Sequence, residues 1–254
     1  MIIDCISDLH GHYPKLDGGD LLIVAGNLTA RDNLKELDEF NEWIREQYYK
    51  KKVLIAGNHD NLIARGVYDP YNPTDCSVFV DPSVDYLFDS GTEFEYEIYC
   101  NMCGTPTREY PNRKCSQTVM CSGEKNKLRI WGSPWTKTFP GINPKCCAFT
   151  VHTDEELKEK WDLIPHDTDI LITHCPPWGV FDEIPGKNIG IFIETGSISL
   201  RNKCMSMTNL KLHVFGNIHE HGGKVLDTTR TKWVNASHVD ERYRSVNKPI
   251  RIIL

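Results

Sequence analysis

The chain has 254 residues, 40% hydrophobic and 25% charged, an ordinary globular composition with room for one large domain or two small ones. Its formal net charge of -6 argues against a broad basic face, so extended nucleic-acid binding is not expected. A small phosphate ester stays open as a partner, because a bound cation can dominate the local field.

In chain order, Met1-Ile2-Ile3-Asp4-Cys5-Ile6 is too short and too acidic for a signal peptide and reads as a first strand. Leu21-Leu22-Ile23-Val24-Ala25 is a second, buried strand. Over residues 32–49, Leu34, Leu37, Phe40, Trp43 and Ile44 recur at helical spacing. Val53-Leu54-Ile55-Ala56 is the next strand, and strand, helix, strand implies a right-handed parallel crossover. Further strands are expected at 94–99, 127–131, 169–173, 212–215, 231–235 and 249–254. Helices are expected at 154–163, capped by Thr153, and at 193–207, where Gly196, Ser197 and Ser199 weaken the pattern. No linker divides the chain, so a single domain over 1–254 is expected. No apolar stretch approaches the roughly 18–20 residues that span a bilayer, so no membrane partner is expected. The protein is expected to be cytoplasmic, with most of its ten cysteines reduced.

Six stretches carry the chemistry: Asp8-Leu9-His10, Gly26-Asn27-Leu28-Thr29, Gly57-Asn58-His59-Asp60, Gly132-Ser133-Pro134-Trp135, Thr173-His174 and Gly216-Asn217-Ile218-His219. The first five end apolar runs, where α/β sheets build their sites. Asp8 and His10, two apart on extended chain, share a face, and a carboxylate beside an imidazole suits a transition metal. Alone, that pair equally describes a polar strand end. Gly57-Asn58-His59-Asp60 is more specific. Gly57 permits a sharp turn, Asn58 offers a carbonyl oxygen to a cation, His59 can donate a proton, and Asp60 can orient its ring. The plain alternative is a turn. His174 and His219 each follow an apolar run, where a lone histidine is commonly a polar cap. Four strand ends that each present a metal-type ligand point instead to a metal centre.

Together these segments resemble the calcineurin-like metallophosphoesterases, whose pattern is Asp-x-His, Gly-Asp, Gly-Asn-His-Asp/Glu, a later His and Gly-His-x-His. Phe40-Asn41-Glu42-Trp43, Trp131-Gly132-Ser133-Pro134-Trp135, Thr173-His174-Cys175-Pro176-Pro177 and Val234-Asn235-Ala236-Ser237 bring the chain closer to the metallophosphoesterase-domain-containing (MPPED) branch. The resemblance covers nearly the whole chain except an insertion at about residues 100–124. It implies an α/β fold, a four-layer α/β/β/α sandwich of two mixed sheets flanked by helices. It implies one or two divalent transition-metal ions (Mn, Fe or Zn), with Asp8, His10 and His219 on the first and Asn58 and His174 on the second. The positions of Asn27 and Asn217 would supply a bridging aspartate and a further histidine. A water between the metals would attack phosphorus and His59 would protonate the leaving alcohol.

Asn27 and Asn217 depart from that pattern. An amide has one donor oxygen and no charge, whereas two dications ~3.5–4 Å apart need a carboxylate bridge. Asparagine oxygen is also a weaker ligand than imidazole. The expectation is a first metal that binds, with the Asn27 oxygen available to it, and a second that is weak or absent. His221 is a candidate replacement imidazole, the equal alternative being a surface residue two positions beyond His219. Cys100, Cys103, Cys115 and Cys121 in the insertion are a candidate set for a structural zinc, the alternative being a hairpin extension with free thiols. The expected function is hydrolysis of a small phosphodiester, such as a nucleotide or cyclic nucleotide, weakened by Asn27 and Asn217. The alternatives are a nucleotide- or phosphate-binding protein of the same fold with little or no turnover, and a zinc-stabilised interaction module.

Overall fold

The computed structural model describes residues 1–68, 80–96, 126–138, 146–186, 188 and 190–254. In chain order its elements are β1 (Ile2–Ile6), β2 (Gly19–Ala25), α1 (Leu34–Glu46), β3 (Tyr49–Ile55), α2 (Asn61–Tyr68), β4 (Asp85–Tyr86), β5 (Ser90–Tyr96), β6 (Asn126–Ser133) and β7 (Thr136–Lys137). They continue with β8 (Thr150–Val151), α3 (Asp154–Asp162), β9 (Ile170–Thr173), β10 (Glu183–Pro185), β11 (Phe192–Glu194), α4 (Ile198–Ser206), β12 (Leu212–Phe215), β13 (Lys224–Asp227), β14 (Lys232–Asn235) and β15 (Ile250–Ile253).

Two mixed sheets dominate. One has the order β15-β1-β2-β3-β4, the other β13-β14-β12-β9-β6-β5. Strands β1 to β4 run parallel, as do β6, β9, β12 and β14, with antiparallel strands at three of the edges. Alternation along each strand decides the layering. Ile3, Cys5, Leu21, Ile23, Val53 and Ile55 point inward and pack against Ile130, Ile170, Ile172, Leu212, Val214 and Val234 of the other sheet. Ile6, Leu22, Val24 and Leu54 point outward, in the cluster that also holds Leu37, Phe40, Trp43 and Ile44 of α1. On the far side Leu171, Phe215 and Trp233 share that role with Leu157 and Trp161 of α3 and Leu200 of α4. Strands buried on both faces read as continuous apolar runs, and for that reason they were visible in the sequence.

The helix boundaries follow their caps. Asn33 accepts a hydrogen bond from the Glu36 N–H, so α1 begins at Leu34. Thr153 and Glu156 form a reciprocal capping box on α3. The helix expected over 193–207 is shorter than the pattern suggests. Residues 192–194 pair with 183–185 as β11 on β10, and the Gly196 N–H donates to Asp182 Oδ2 at 2.9 Å. Ser197 then caps α4 by accepting from Leu200 N–H at 3.0 Å. The four cysteines Cys100, Cys103, Cys115 and Cys121, and the rest of the insertion, lie outside the described residues. Among the described residues no helix is long and apolar enough to cross a membrane.

Candidate metal centre

The loops that follow β1, β2, β3, β9 and β12 converge at the carboxyl ends of their strands. Asp8, His10, Asn27 and Asn217 all adopt positive φ, from 43° to 67°. Asp, Asn and His are the residue types that tolerate this conformation best, though each still costs energy. The strain turns side chains from both sheets toward one point. Glycines allow the approach. A Cβ on Gly57 would collide with Asn27 Oδ1 and His174 Cε1, and one on Gly216 with Ser7 Oγ and Asp8 Oδ2. Gly57 was expected to permit a sharp turn, but its φ is not left-handed, and close packing is what requires it.

Asp8, His10 and His219 present ligand atoms that all lie within 4.8 Å of one another. Asp8 Oδ2 accepts from Ser237 Oγ–H at 2.7 Å and from the Asn217 N–H at 3.0 Å. Its Oδ1 faces His219 Nε2 at 3.4 Å and His10 Nε2 at 4.0 Å. Burial pushes the Asp8 carboxyl up, but the hydrogen bond and the charge of His219 outweigh it and hold it well below the carboxylate range. Burial holds His10 well below the usual imidazole value, so its ring is neutral. His10 Nε2 is buried without a hydrogen-bond partner. An unpartnered imidazole nitrogen beside a carboxylate and a second imidazole fits a transition metal.

The second half is built differently. The His59 backbone N–H can only donate, and it points at Asn27 Oδ1 at 3.0 Å. That bond turns the Asn27 amide nitrogen inward, where it donates to Asp8 Oδ1 at 2.9 Å and Asn58 Oδ1 at 3.2 Å. The oxygen expected to be available to the first metal is therefore turned away. Asn58 Oδ1 also lies 3.0 Å from His174 Nε2, while His174 Nδ1 meets the Ala25 carbonyl at 2.9 Å. Asn217 Nδ2 donates to Thr136 Oγ1 at 3.2 Å. His221 does not join these groups: its Nδ1 meets Lys224 Nζ at 2.8 Å and its ring stacks on Phe181. A second cation beside Asn58 and His174 would meet the two amide hydrogens of Asn27, so these residues do not fit it in this conformation.

His59 stands edge-on to His10, with ring centroids 4.7 Å apart, and burial lowers it to about 4. Asp60 was expected to orient that ring, and the structure corrects this. Its carboxylate accepts from the backbone N–H groups of Asn27, Leu28 and Gly57 at 2.7 to 2.9 Å, fastening the β2 and β3 loops together. Burial pushes Asp60 up to about 7 against those three bonds. The group that meets His59 Nδ1 is Cys146 Sγ, at 3.3 Å.

A family model described as calcineurin-like phosphoesterase matches residues 1–221. The chain belongs to that family. It is 34% identical over 252 residues to Metallophosphoesterase domain-containing protein 1 of Homo sapiens, covering 98% of this chain and 70% of that protein. It is 29% identical over 255 residues to a UPF0046 protein of Caenorhabditis elegans, covering 97% and 78%. The crystal structure of TT1561 of Thermus thermophilus shares the fold, with a TM-score of 0.52 at 16% identity over 98% of this chain and 97% of that one.

Within this calcineurin-like phosphoesterase three surrounding residues carried no sequence signal of their own: Ser237, Cys146 and Tyr243. Ser237 lay in a stretch quoted only for the resemblance, yet its hydroxyl holds Asp8. Tyr243, at φ 59°, sets its ring edge-on to His10 at 4.8 Å and to His219 at 5.3 Å. The stretch Gly132-Ser133-Pro134-Trp135 serves the frame: Ser133 Oγ and Trp135 Nε1 donate to the two oxygens of Asp89 at 2.6 and 2.7 Å.

Proposed function

We propose that this chain is a metal-dependent phosphoesterase of small phosphodiesters that works with one resident divalent transition metal, held by Asp8, His10 and His219. The observation that carries the reading is the buried, unpartnered Nε2 of His10 facing the other two ligands. A metal bound there supplies Lewis-acid stabilisation of charge on the phosphoryl oxygens. Ser237 Oγ and the Asn217 N–H orient Asp8 so that Oδ1 faces inward. Burial pushes the Cys146 thiol up to about 11, so it keeps its hydrogen and can give it to His59 Nδ1. The neutral His59 ring then carries its hydrogen on Nε2, from which it can donate a hydrogen bond to the leaving oxygen. Five described cysteines are free thiols, which supports a reducing, cytoplasmic setting.

The Asn27 amide also favours a second reading, a phosphate- or nucleotide-binding protein with little turnover, because its nitrogen takes the place of a bridging anion. Metal titration with bis(4-nitrophenyl) phosphate as substrate separates the two. The expected result is about one equivalent of Mn(II) per chain and hydrolysis that EDTA or His219→Ala abolishes. Phosphate binding with no hydrolysis at any Mn(II) concentration selects the binding protein.

A further inference from the structure

The candidate centre opens into two clefts that share His59, Cys146 and Tyr243 as their common wall. The first, of about 860 Å³, carries the guanidinium groups of Arg31 and Arg65 against the single carboxylate of Asp32. Both arginines are exposed, and neither guanidinium meets an acceptor among the described residues. Asp32 is already engaged, with Oδ1 accepting from the Leu62 N–H at 3.0 Å. The second cleft, of about 190 Å³, carries the carboxylates of Glu220 and Glu241 beside Ile184 and Ile218, and no lysine or arginine lines it among the described residues. The two spaces therefore differ by three charges across one shared wall.

We infer that the preferred ligand is an asymmetric phosphate ester, whose arm in the larger cleft bears a second anionic group, a phosphate or carboxylate, taken by Arg31 and Arg65. The other arm is compact and uncharged or cationic, because a second anion there would face two carboxylates across a cleft of about 190 Å³. This rests on the phosphoesterase reading for the placement of the phosphorus at the junction. Two guanidiniums with no acceptor among the described residues, on an open wall, make charge-assisted contacts with an oxyanion, screened by solvent and weakened by salt. Tyr243, fixed in the left-handed region and anchored by its N–H to Asp240 O at 2.9 Å, separates the two arms. Arg31 and Arg65 are thus specificity-determining residues.

The test compares adenosine 3′,5′-bisphosphate with adenosine 5′-monophosphate by calorimetry on the full Mn(II)-loaded chain, at fixed free metal and low salt. The parent is expected to bind the bisphosphate about tenfold more tightly. The Arg31→Gln/Arg65→Gln chain, whose fold is checked by circular dichroism, is expected to reduce that ratio to about two. A parent ratio below about fivefold, or a double-variant ratio above half the parent's, overturns the inference. Turnover of bis(4-nitrophenyl) phosphate by the parent is read separately. If turnover is absent while the ratio and its loss are observed, the phosphoesterase reading fails and the charge-divided cleft stands.

Discussion

Changing Asn27 to aspartate puts an oxygen where the amide nitrogen now bridges two acceptors. That nitrogen lies 2.9 Å from Asp8 Oδ1 and 3.2 Å from Asn58 Oδ1, and all three residues are buried. Two carboxylate charges about 3 Å apart repel by about 6 kcal/mol at an effective dielectric of about 20. Retaining a proton is cheaper, since holding a carboxyl protonated at pH 7 against a usual pKa of about 3.9 costs about 4 kcal/mol. The expected loss of stability in EDTA at pH 7 is therefore about 4 kcal/mol, or about 10 °C in the unfolding midpoint. The sign in pH follows. The folded chain keeps a proton that the unfolded chain releases above about pH 4, so stability falls as pH rises from about 4 to 7 and returns on acidification. A cation removes the repulsion, so Mn(II) should raise the midpoint of Asn27→Asp far more than that of the parent. Bound metal should rise from about one equivalent to about two. Thermal unfolding at pH 5, 6 and 7, in EDTA and in Mn(II), measures all of this. A variant that melts within about 2 °C of the parent in EDTA at pH 7, and still binds one equivalent, refutes the reasoning.

Asp60→Ala leaves the buried N–H groups of Asn27, Leu28 and Gly57 without their acceptor, and urea unfolding should show a loss of about 3–5 kcal/mol. His213 is fully buried and burial holds it down at about 3, so the unfolded chain takes up a proton below about 6.5 that the folded chain refuses. Its contribution makes stability fall as pH drops from about 6.5, by about 3 kcal/mol at pH 4.5, and His213→Gln should flatten that slope in urea titrations across the window.

The parts of the fold legible in the sequence were those whose burial is uniform. Ile170–Thr173 and Leu212–Phe215 are buried on both faces, so their residue types alone mark them as strands. The pair β10 and β11 gave no such signal, because Phe192, Ile193 and Glu194 are all exposed and pair only with residues 183–185. Ligand types at strand ends were legible for the same reason as the strands they close. Hydrogen-bond partners were not. The group against His59 Nδ1 is 87 positions away at Cys146, while the adjacent Asp60, the obvious partner by proximity in sequence, is taken by three backbone amides. His59 and Asp60 lie in a turn closed by the Asp60 N–H on the Gly57 carbonyl at 3.1 Å, which sends the Asp60 carboxylate back to the β2 and β3 loops, so proximity in sequence misled.

Asn27 joins these two lessons. Its lack of charge was visible at once, and charge alone argued against a second cation. The structure adds a direction that charge does not contain. The backbone N–H of His59 fixes which end of the amide turns inward, and that end is the nitrogen. The nitrogen then binds the Asp8 oxygen that also faces both imidazoles, and the Asn58 oxygen beside His174. One amide thus satisfies two buried acceptors that would otherwise need a cation between them, and it does so with no net charge. The same bonds that keep the neutral site intact are therefore the ones a second metal would have to break.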